Sequence, residues 1–207
     1  MGRREGGEVR GSGSRRIGRV HTVRMSNHGT ATGVLLAAGA GTRFGMPKVL
    51  AEQGEWLHAA VSALADGGCA DVVVVLGAAI VDVPAPGRAV TAEDWADGLS
   101  ASLRAGITAA GGADFAVIHT VDTPDIGADV VHRVLDAARS TASGLARARY
   151  DGRPGHPVVI ARRHWADLLV SLSGDVGAGR FLRDRADVVS VECSDLATGC
   201  DIDTLTL

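Results

Sequence analysis

The chain has few aromatic residues, few cysteines and a single lysine. Aromatic residues make up 3% of the 207 residues, so the core must be built from valine, leucine, isoleucine and alanine. Cys69, Cys193 and Cys200 are scattered without C-x-x-C spacing, a pattern that excludes a disulfide framework and a cysteine metal site and is typical of free thiols in a reduced cytoplasm. The sequence shows no apolar run long enough to span a membrane and no apolar region of a secretory signal.

Charge is unevenly distributed along the chain. Residues 1–24 hold seven arginines and two glutamates, a net charge of +5, and since the whole chain carries −3 the remainder carries −8. An acidic body argues against general nucleic-acid binding. Residues 1–32 are rich in glycine, arginine and serine and lack apolar periodicity, which predicts a disordered basic extension. Residues 33–207 have the length of one folded domain.

The most informative stretch runs from Gly33 to Lys48. It opens with an apolar run typical of a buried parallel strand and continues into a glycine-rich loop. Backbone N–H groups of such a loop can surround an anion, and Arg43 and Lys48 add fixed positive charge. Lys48 is the only lysine in the chain, and all the other permanently charged basic side chains are arginines. The stretch therefore predicts a binding site for the phosphates of a nucleotide.

Two common phosphate-binding motifs do not fit this loop. The dinucleotide fingerprint G-x-G-x-x-G requires glycine where the chain has Phe44, which argues against a dinucleotide-dependent oxidoreductase. The P-loop requires a Gly-Lys pair, whereas Lys48 follows Pro47.

The loop instead resembles L-A-A-G-x-G-x-R-x-G-x-P-K, the signature of the MobA-like and MocA-like nucleotidyltransferases that activate molybdenum cofactor. The resemblance covers about residues 32–205. It implies a single α/β domain with a mostly parallel, doubly wound sheet of six or seven strands, similar to the glycosyltransferase-A-like fold. It also implies that Arg43 neutralises the β and γ phosphates of a nucleoside triphosphate and that Lys48 holds the α-phosphate, both as catalytic residues.

Further segments match the family at other points of the chain. Trp95 to Leu103 resembles the W-x-x-G-x-x-x-S segment beside the nucleotide. The nucleotide-binding residues implied in total are Leu36, Ala37, Ala38, Gly39, Gly41, Arg43, Lys48 and Ser100.

Two acidic positions are implied to bind Mg²⁺, the expected cofactor. Asp122 follows an apolar run and precedes Thr123-Pro124, which resembles the family's V-D-x-P. Because ligands bind outside the carboxyl ends of parallel strands, Asp122 should face the same crevice as the glycine-rich loop. The terminal D-I-D-T resembles a second metal-binding segment, in which Asp203 is favoured and Asp201 is the second choice.

The acceptor side is implied by two more resemblances. Gly155-His156-Pro157 resembles the family's G-H-P, and the segment from Gly174 to Arg180 resembles G-D-x-G-A-R with one glycine, Gly179, inserted. His156, Asp175 and Arg180 are therefore expected to contact the acceptor, with His156 in a binding role because an ionised phosphate acceptor needs no strong general base.

The function implied is Mg²⁺-dependent transfer of CMP from CTP to the phosphate of molybdopterin, with release of pyrophosphate. CTP is favoured because L-A-A-G accompanies CTP in the family and a side chain at Ala38 narrows the base pocket against a purine. Guanylyl transfer in a related cofactor pathway, sugar-phosphate nucleotidyl transfer and a non-catalytic nucleotide-binding module are the alternatives. A molybdoenzyme or maturation protein is a possible partner; nucleic acid and membrane are not expected, and the expected location is cytoplasmic.

The remaining pattern predicts alternating strands and helices. Helices are expected over 56–64, over 95–107 and over 130–138, the last with Asp125 as its N-cap, and over 165–169. Strands are expected over 72–76, 88–90, 115–121, 144–149, 158–160 and 188–191.

Overall fold

The structure is a computed structural model that describes residues 1–2 and 29–203. A mixed sheet of seven strands forms the centre of this part of the chain. The strand order is β3-β2-β1-β4-β6-β5-β7, and only β6 runs antiparallel to its neighbours, β4 and β5. The strands are β1 (Ala31–Leu36), β2 (Asp71–Leu76), β3 (Gly87–Thr91), β4 (Phe115–Thr120), β5 (Leu145–Tyr150), β6 (Arg153–Ala161) and β7 (Val189–Glu192). The predicted mostly parallel α/β sheet is confirmed.

Helices cover both faces of the sheet, as a doubly wound fold requires. They are α1 (Glu55–Asp66), α2 (Leu99–Ala109), α3 (Ala128–Arg139), α4 (Trp165–Ser171) and α5 (Ala178–Arg183). Apolar residues of α1 and α3 pack in one core cluster, and those of α2, α4 and α5 pack in the other. None of the helices within the described ranges is long and apolar enough to cross a lipid bilayer.

The central strands have continuous apolar sequences because helices cover both of their faces. Residues 72–76 of β2 are all fully buried, as expected for a parallel strand between two helical layers. Burying one such valine or leucine side chain contributes about 1.5–3 kcal/mol. This core is built almost entirely of aliphatic side chains, in agreement with the low aromatic content.

The structure corrects three local predictions. The first strand begins at Ala31, which is 1% exposed, so the folded domain starts before the predicted boundary at 33; of the predicted extension, residues 3–28 lie outside the described residues. The helix predicted from Trp95 is interrupted, because Gly98 has φ +111° and α2 begins only at Leu99. Asp125 does not cap α3; Gly127 holds that position, and Asp125 Oδ2 instead accepts hydrogen bonds from the backbone N–H and hydroxyl of Thr198.

The topology brings the predicted site residues to one edge of the sheet. Strands β1 and β4 are parallel neighbours, and Leu36 is paired with Thr120 at their carboxyl ends. The glycine-rich loop that follows β1 and the Asp122 turn that follows β4 therefore lie side by side. The chain's C-terminal segment joins them, because the backbone N–H of Ile202 donates to the carbonyl of Asp122 at 2.9 Å.

Candidate active site

An open cleft of about 430 Å³ lies at this carboxyl edge, between the loop after β1, the start of α2 and the end of β4. Nearly all residues predicted to bind the nucleotide or the metal ion line it. They are Leu36, Ala37, Ala38, Gly39, Gly41, Arg43, Lys48, Asp122 and Asp203.

The glycine-rich loop depends on Gly41 for its shape. Gly41 has φ +60°, and a Cβ at this position would clash with the backbone carbonyl oxygen of Met46. The loop is closed by a hydrogen bond from the N–H of Gly45 to the carbonyl of Gly41 at 2.8 Å. A Cβ at Gly39, in contrast, would meet no atom within 4 Å. The backbone at Gly39 therefore borders open space, where a ligand can approach it closely.

Lys48 lies between two carboxylates at the mouth of the cleft. Its Nζ donates to Asp122 Oδ2 at 3.0 Å and to Asp203 Oδ1 at 2.9 Å, and the side chain is 15% exposed. Burial alone would lower the pKa of Lys48, but the hydrogen bonds to Asp203 and Asp122 raise it above its usual value. The ammonium group is therefore charged at neutral pH. A lysine that was simply exposed to solvent at the start of a helix would make neither of these two hydrogen bonds.

Asp122 retains an unused acceptor atom. Its Oδ2 accepts from Lys48, whereas its Oδ1 is buried and accepts no hydrogen bond from any residue in the ranges 1–2 and 29–203. A buried carboxylate oxygen without a partner fits the requirement of a hard cation, which replaces the missing hydrogen bond. Across residues 1–2 and 29–203, no three histidine, cysteine or acidic side chains form a ready-made metal cluster. Mg²⁺ is commonly held by one or two carboxylates together with substrate phosphates, so two aspartates suffice.

The two terminal aspartates occupy different environments. Asp203 contacts Lys48 and lines both the cleft and an adjoining pocket beside Tyr150 and Thr198, whereas Asp201 lines that pocket and not the cleft. Desolvation and the nearby Asp122 carboxylate raise the pKa of Asp201, while the hydrogen bond from Lys48 lowers that of Asp203. Asp203 is therefore the more readily ionised of the pair.

Arg43 reaches into the cleft from its outer rim. Its side chain is 83% exposed, and its Nη1 lies 3.6 Å from Asp203 Oδ2. An exposed ion pair of this length contributes little to stability, so the guanidinium is free to turn toward a ligand.

The structure assigns the serine near the cleft differently from the sequence. Ser100 is buried and does not line the cleft; its backbone N–H donates to the carbonyl of Gly174 at 3.0 Å. Ser102 lines the cleft together with Leu99, because residues three apart share one face of α2. The structure thus places Ser102 at the cleft and the predicted Ser100 away from it. Counting W-x-x-G-x-x-x-S from Trp95 places the serine at 102, and that spacing is the signal that could have found it.

Trp95 forms one wall of the cleft. It is half-buried, and a Cβ at Gly77 would lie 2.6 Å from the Cβ of Trp95 and 2.8 Å from that of Ala38. Gly77 thus allows Trp95 to approach the end of β2 closely, at a position where the tryptophan lines the cleft.

The three predicted acceptor residues line a second cavity of about 640 Å³, which adjoins the first. His156, Asp175 and Arg180 all border it, and Asp175 borders both cavities. The Nδ1 atom of His156 lies 3.3 Å from the carbonyl oxygen of Ile118. Burial lowers the pKa of His156, so its imidazole is neutral at pH 7 and positive charge in this cavity comes from arginine.

Sequence reasoning missed two arginines of the second cavity. Arg147 on β5 and Arg183 at the end of α5 both border it. Neither belongs to a motif, and only the packing of α5 beside β5 brings them together, so no sequence signal indicates them.

The comparisons with known proteins identify the family. Residues 33–189 match the model of the MobA-like NTP transferase domain. The chain is 39% identical over 188 residues to nicotine blue oxidoreductase from Paenarthrobacter nicotinovorans, covering 84% of this chain and 92% of that protein. Among solved structures, Rv0371c from Mycobacterium tuberculosis is 25% identical, with a TM-score of 0.68 and coverage of 86% of this chain and 94% of the other. A nucleotidyl transferase from Methanothermobacter, 24% identical, has a TM-score of 0.68, with coverage of 84% and 92%. The chain belongs to the family of MobA-like NTP transferase domains.

Proposed function

We propose that the protein is a Mg²⁺-dependent nucleotidyltransferase that transfers CMP from CTP to the phosphate of an acceptor, and that the acceptor is molybdopterin. The observation that carries the proposal is the position of Lys48, whose ammonium lies between Asp122 and Asp203 beside a glycine-rich loop. A positively charged side chain, two carboxylates that can bind a metal ion and accessible backbone N–H groups are the groups that phosphoryl transfer uses.

The loop and its two cations would carry out the reaction by positioning and electrostatics. The backbone around Gly39 would approach the phosphates, with Arg43 on the outer phosphates and Lys48 on the α-phosphate. The acceptor phosphate attacks the α-phosphorus, and the bond from that phosphorus to the bridging oxygen of pyrophosphate breaks. Since the acceptor phosphate is already ionised, no proton must be removed, which agrees with a neutral His156. Charge on the leaving pyrophosphate is stabilised by Arg43, and charge on the reacting phosphoryl group by Lys48.

Asp122 and Asp203 are proposed to hold the Mg²⁺ ion. The Oδ1 of Asp122, buried and without a hydrogen-bond donor in the described part of the chain, supports this role. The ion would supply neutralisation of the phosphate oxygens. Asp203 is preferred to Asp201 because it lines the cleft and contacts Lys48.

Ala38 supports the choice of CTP. Its side chain is 4% exposed and lies at the wall formed with Gly77 and Trp95. A methyl group at this wall leaves less width for a base than glycine would, which favours a pyrimidine. Guanylyl transfer and sugar-phosphate nucleotidyl transfer use the same groups with a different base or acceptor.

A second candidate function comes from the similarity to nicotine blue oxidoreductase. The identity of 39% with nicotine blue oxidoreductase favours a redox activity on the same fold. In that case the cleft would hold a nicotinamide dinucleotide, with its pyrophosphate at the loop near Gly41. Phe44 stands where the usual dinucleotide fingerprint has glycine, so the loop would have to hold the pyrophosphate in a geometry other than that of the fingerprint.

Thermal stabilisation by nucleotides separates these candidates. With Mg²⁺ present, we expect CTP to raise the melting temperature by several degrees, because a ligand at 100 times its Kd stabilises by about 2.7 kcal/mol. UTP, ATP and NADPH should produce little shift. A shift with GTP alone would keep the class and change the nucleotide. A shift with NADPH alone, independent of Mg²⁺, would overturn the proposal in favour of the redox enzyme.

A further inference from the structure

A third cavity continues the groove beyond the acceptor side. It measures about 440 Å³ and reaches β7 at the edge of the sheet. The cleft and the 640 Å³ cavity share Leu36, Leu99, Thr120 and Asp175, and the 640 Å³ cavity shares Arg147, Gly179 and Arg183 with the third. One groove therefore runs from the glycine-rich loop, past Asp175, to a passage lined by two arginines.

The arginines at this passage differ from the others around the third cavity. Arg185 is paired with Asp187 at 2.8 Å, and Arg149 donates to the carbonyl of Gly152. Within residues 29–203, neither Arg147 nor Arg183 has a carboxylate within 4 Å, and Arg147 uses only its Nε, which donates to the carbonyl of Gly155 at 3.2 Å. The forked end of Arg147 thus has no hydrogen-bond acceptor in the described part of the chain.

Holding these two cations together is unfavourable without an anion. Arg147 is half-buried, and burial together with repulsion from Arg183 lowers the pKa of its guanidinium. A partly desolvated arginine close to a second arginine is stabilised when an oxyanion accepts a hydrogen bond from it and offsets the repulsion between the two cations.

The chain keeps space at this passage. Gly179, the residue inserted into the G-D-x-G-A-R pattern, lies against the forked end of Arg147; a Cβ there would be 3.9 Å from both Nη1 and Nη2. A longer side chain at this position would extend into the space beside the guanidinium. The inserted glycine therefore leaves that face of Arg147 accessible to a ligand.

We propose that Arg147 and Arg183 form a second anion subsite, which binds a phosphate, carboxylate or thiolate group of an elongated ligand whose other end lies at Asp175 and His156. The inference rests on the proposed function in one respect: if the protein is a transferase, this ligand is the acceptor, and the subsite holds an anionic group distant from the phosphate that reacts, which in molybdopterin is the dithiolate. The subsite itself requires only the two arginines and the groove.

Calorimetric titration with inorganic phosphate tests the subsite without any reaction. We expect two classes of phosphate site in the wild-type protein, one lost in Lys48→Ala and the other weakened about tenfold or more in both Arg147→Gln and Arg183→Gln, since each removes a charge-assisted hydrogen bond. Arg88→Gln is the matched control and should change neither, because Arg88 pairs with Asp71 at the opposite end of the sheet. Malonate, titrated in parallel, shows whether a carboxylate or a phosphate binds more tightly.

The outcomes separate the subsite from the proposed function. Unchanged phosphate binding in both arginine variants, with binding lost only in Lys48→Ala, would overturn the subsite. Arg183 is exposed, so Arg183→Gln should fold even if Arg147→Gln does not, and the melting temperature of each variant without phosphate checks this. Arginine-dependent binding in a protein that shows no nucleotide-induced stabilisation would support the subsite and count against the transferase.

Discussion

Replacement of Lys48 by alanine is expected to reduce the rate of nucleotidyl transfer by about 10²–10³-fold, the usual effect of removing one group that stabilises transition-state charge. The ammonium of Lys48 is the best-placed cation of the cleft, with two carboxylates at 2.9 and 3.0 Å and little exposure to solvent. Its loss removes positive charge where the reacting phosphoryl group would lie. Steady-state pyrophosphate release at saturating CTP measures the effect.

The control for this variant is Arg88→Ala. It also removes one cation that is paired with an aspartate, but at the amino end of β2 and β3. Its turnover should equal that of the wild type. If Lys48→Ala turned over at a near-normal rate while its melting temperature was unchanged, Lys48 would have no role in catalysis.

Asp122→Asn is expected to produce the second large loss, also about 10²–10³-fold, together with a higher Mg²⁺ concentration for half-maximal rate. The amide keeps the shape of the side chain but removes the negative charge, and its nitrogen cannot bind a metal ion. The buried Oδ1, which has no hydrogen-bond partner among the residues that the structure describes, is the atom through which this loss should act. Rate measured against Mg²⁺ concentration gives both effects.

Asp71→Asn is the matched control for the carboxylate. Asp71 is likewise paired with a basic side chain, Arg88, but at the opposite end of the sheet. It should leave the Mg²⁺ dependence unchanged. An Asp122→Asn enzyme with the wild-type Mg²⁺ dependence would show that this aspartate only positions Lys48.

Much of the fold could be predicted because its signals are local. The apolar runs of β1, β2 and β4 and the helical spacing of α1 and α3 are patterns within short segments. The strand-end positions of the glycine-rich loop and Asp122 also follow from the chain order, since parallel neighbours present their carboxyl ends together.

Other features depend on contacts between distant residues and had no local signal. Gly98 ends the turn at Trp95 because its backbone packs against the 174–175 loop, where a Cβ would lie 2.5 Å from Asp175 Oδ1. The sequence predicts Asp125 as a helix cap, but its carboxylate accepts a hydrogen bond from Thr198, 73 residues away. Arg147 and Arg183 are brought near each other by tertiary packing alone.

Nucleotidyl transfer is detected by following the α-phosphate of the nucleotide. The protein is incubated with Mg²⁺, molybdopterin and CTP labelled at the α-phosphorus, and the products are separated. We predict that the label appears in a molybdopterin product, with one pyrophosphate released for each molecule formed, and that both signals disappear in Lys48→Ala. Label that stays in CTP with every phosphate acceptor offered, in a preparation that oxidises NADPH in the presence of nicotine blue, would show that the protein is a redox enzyme and not a nucleotidyltransferase.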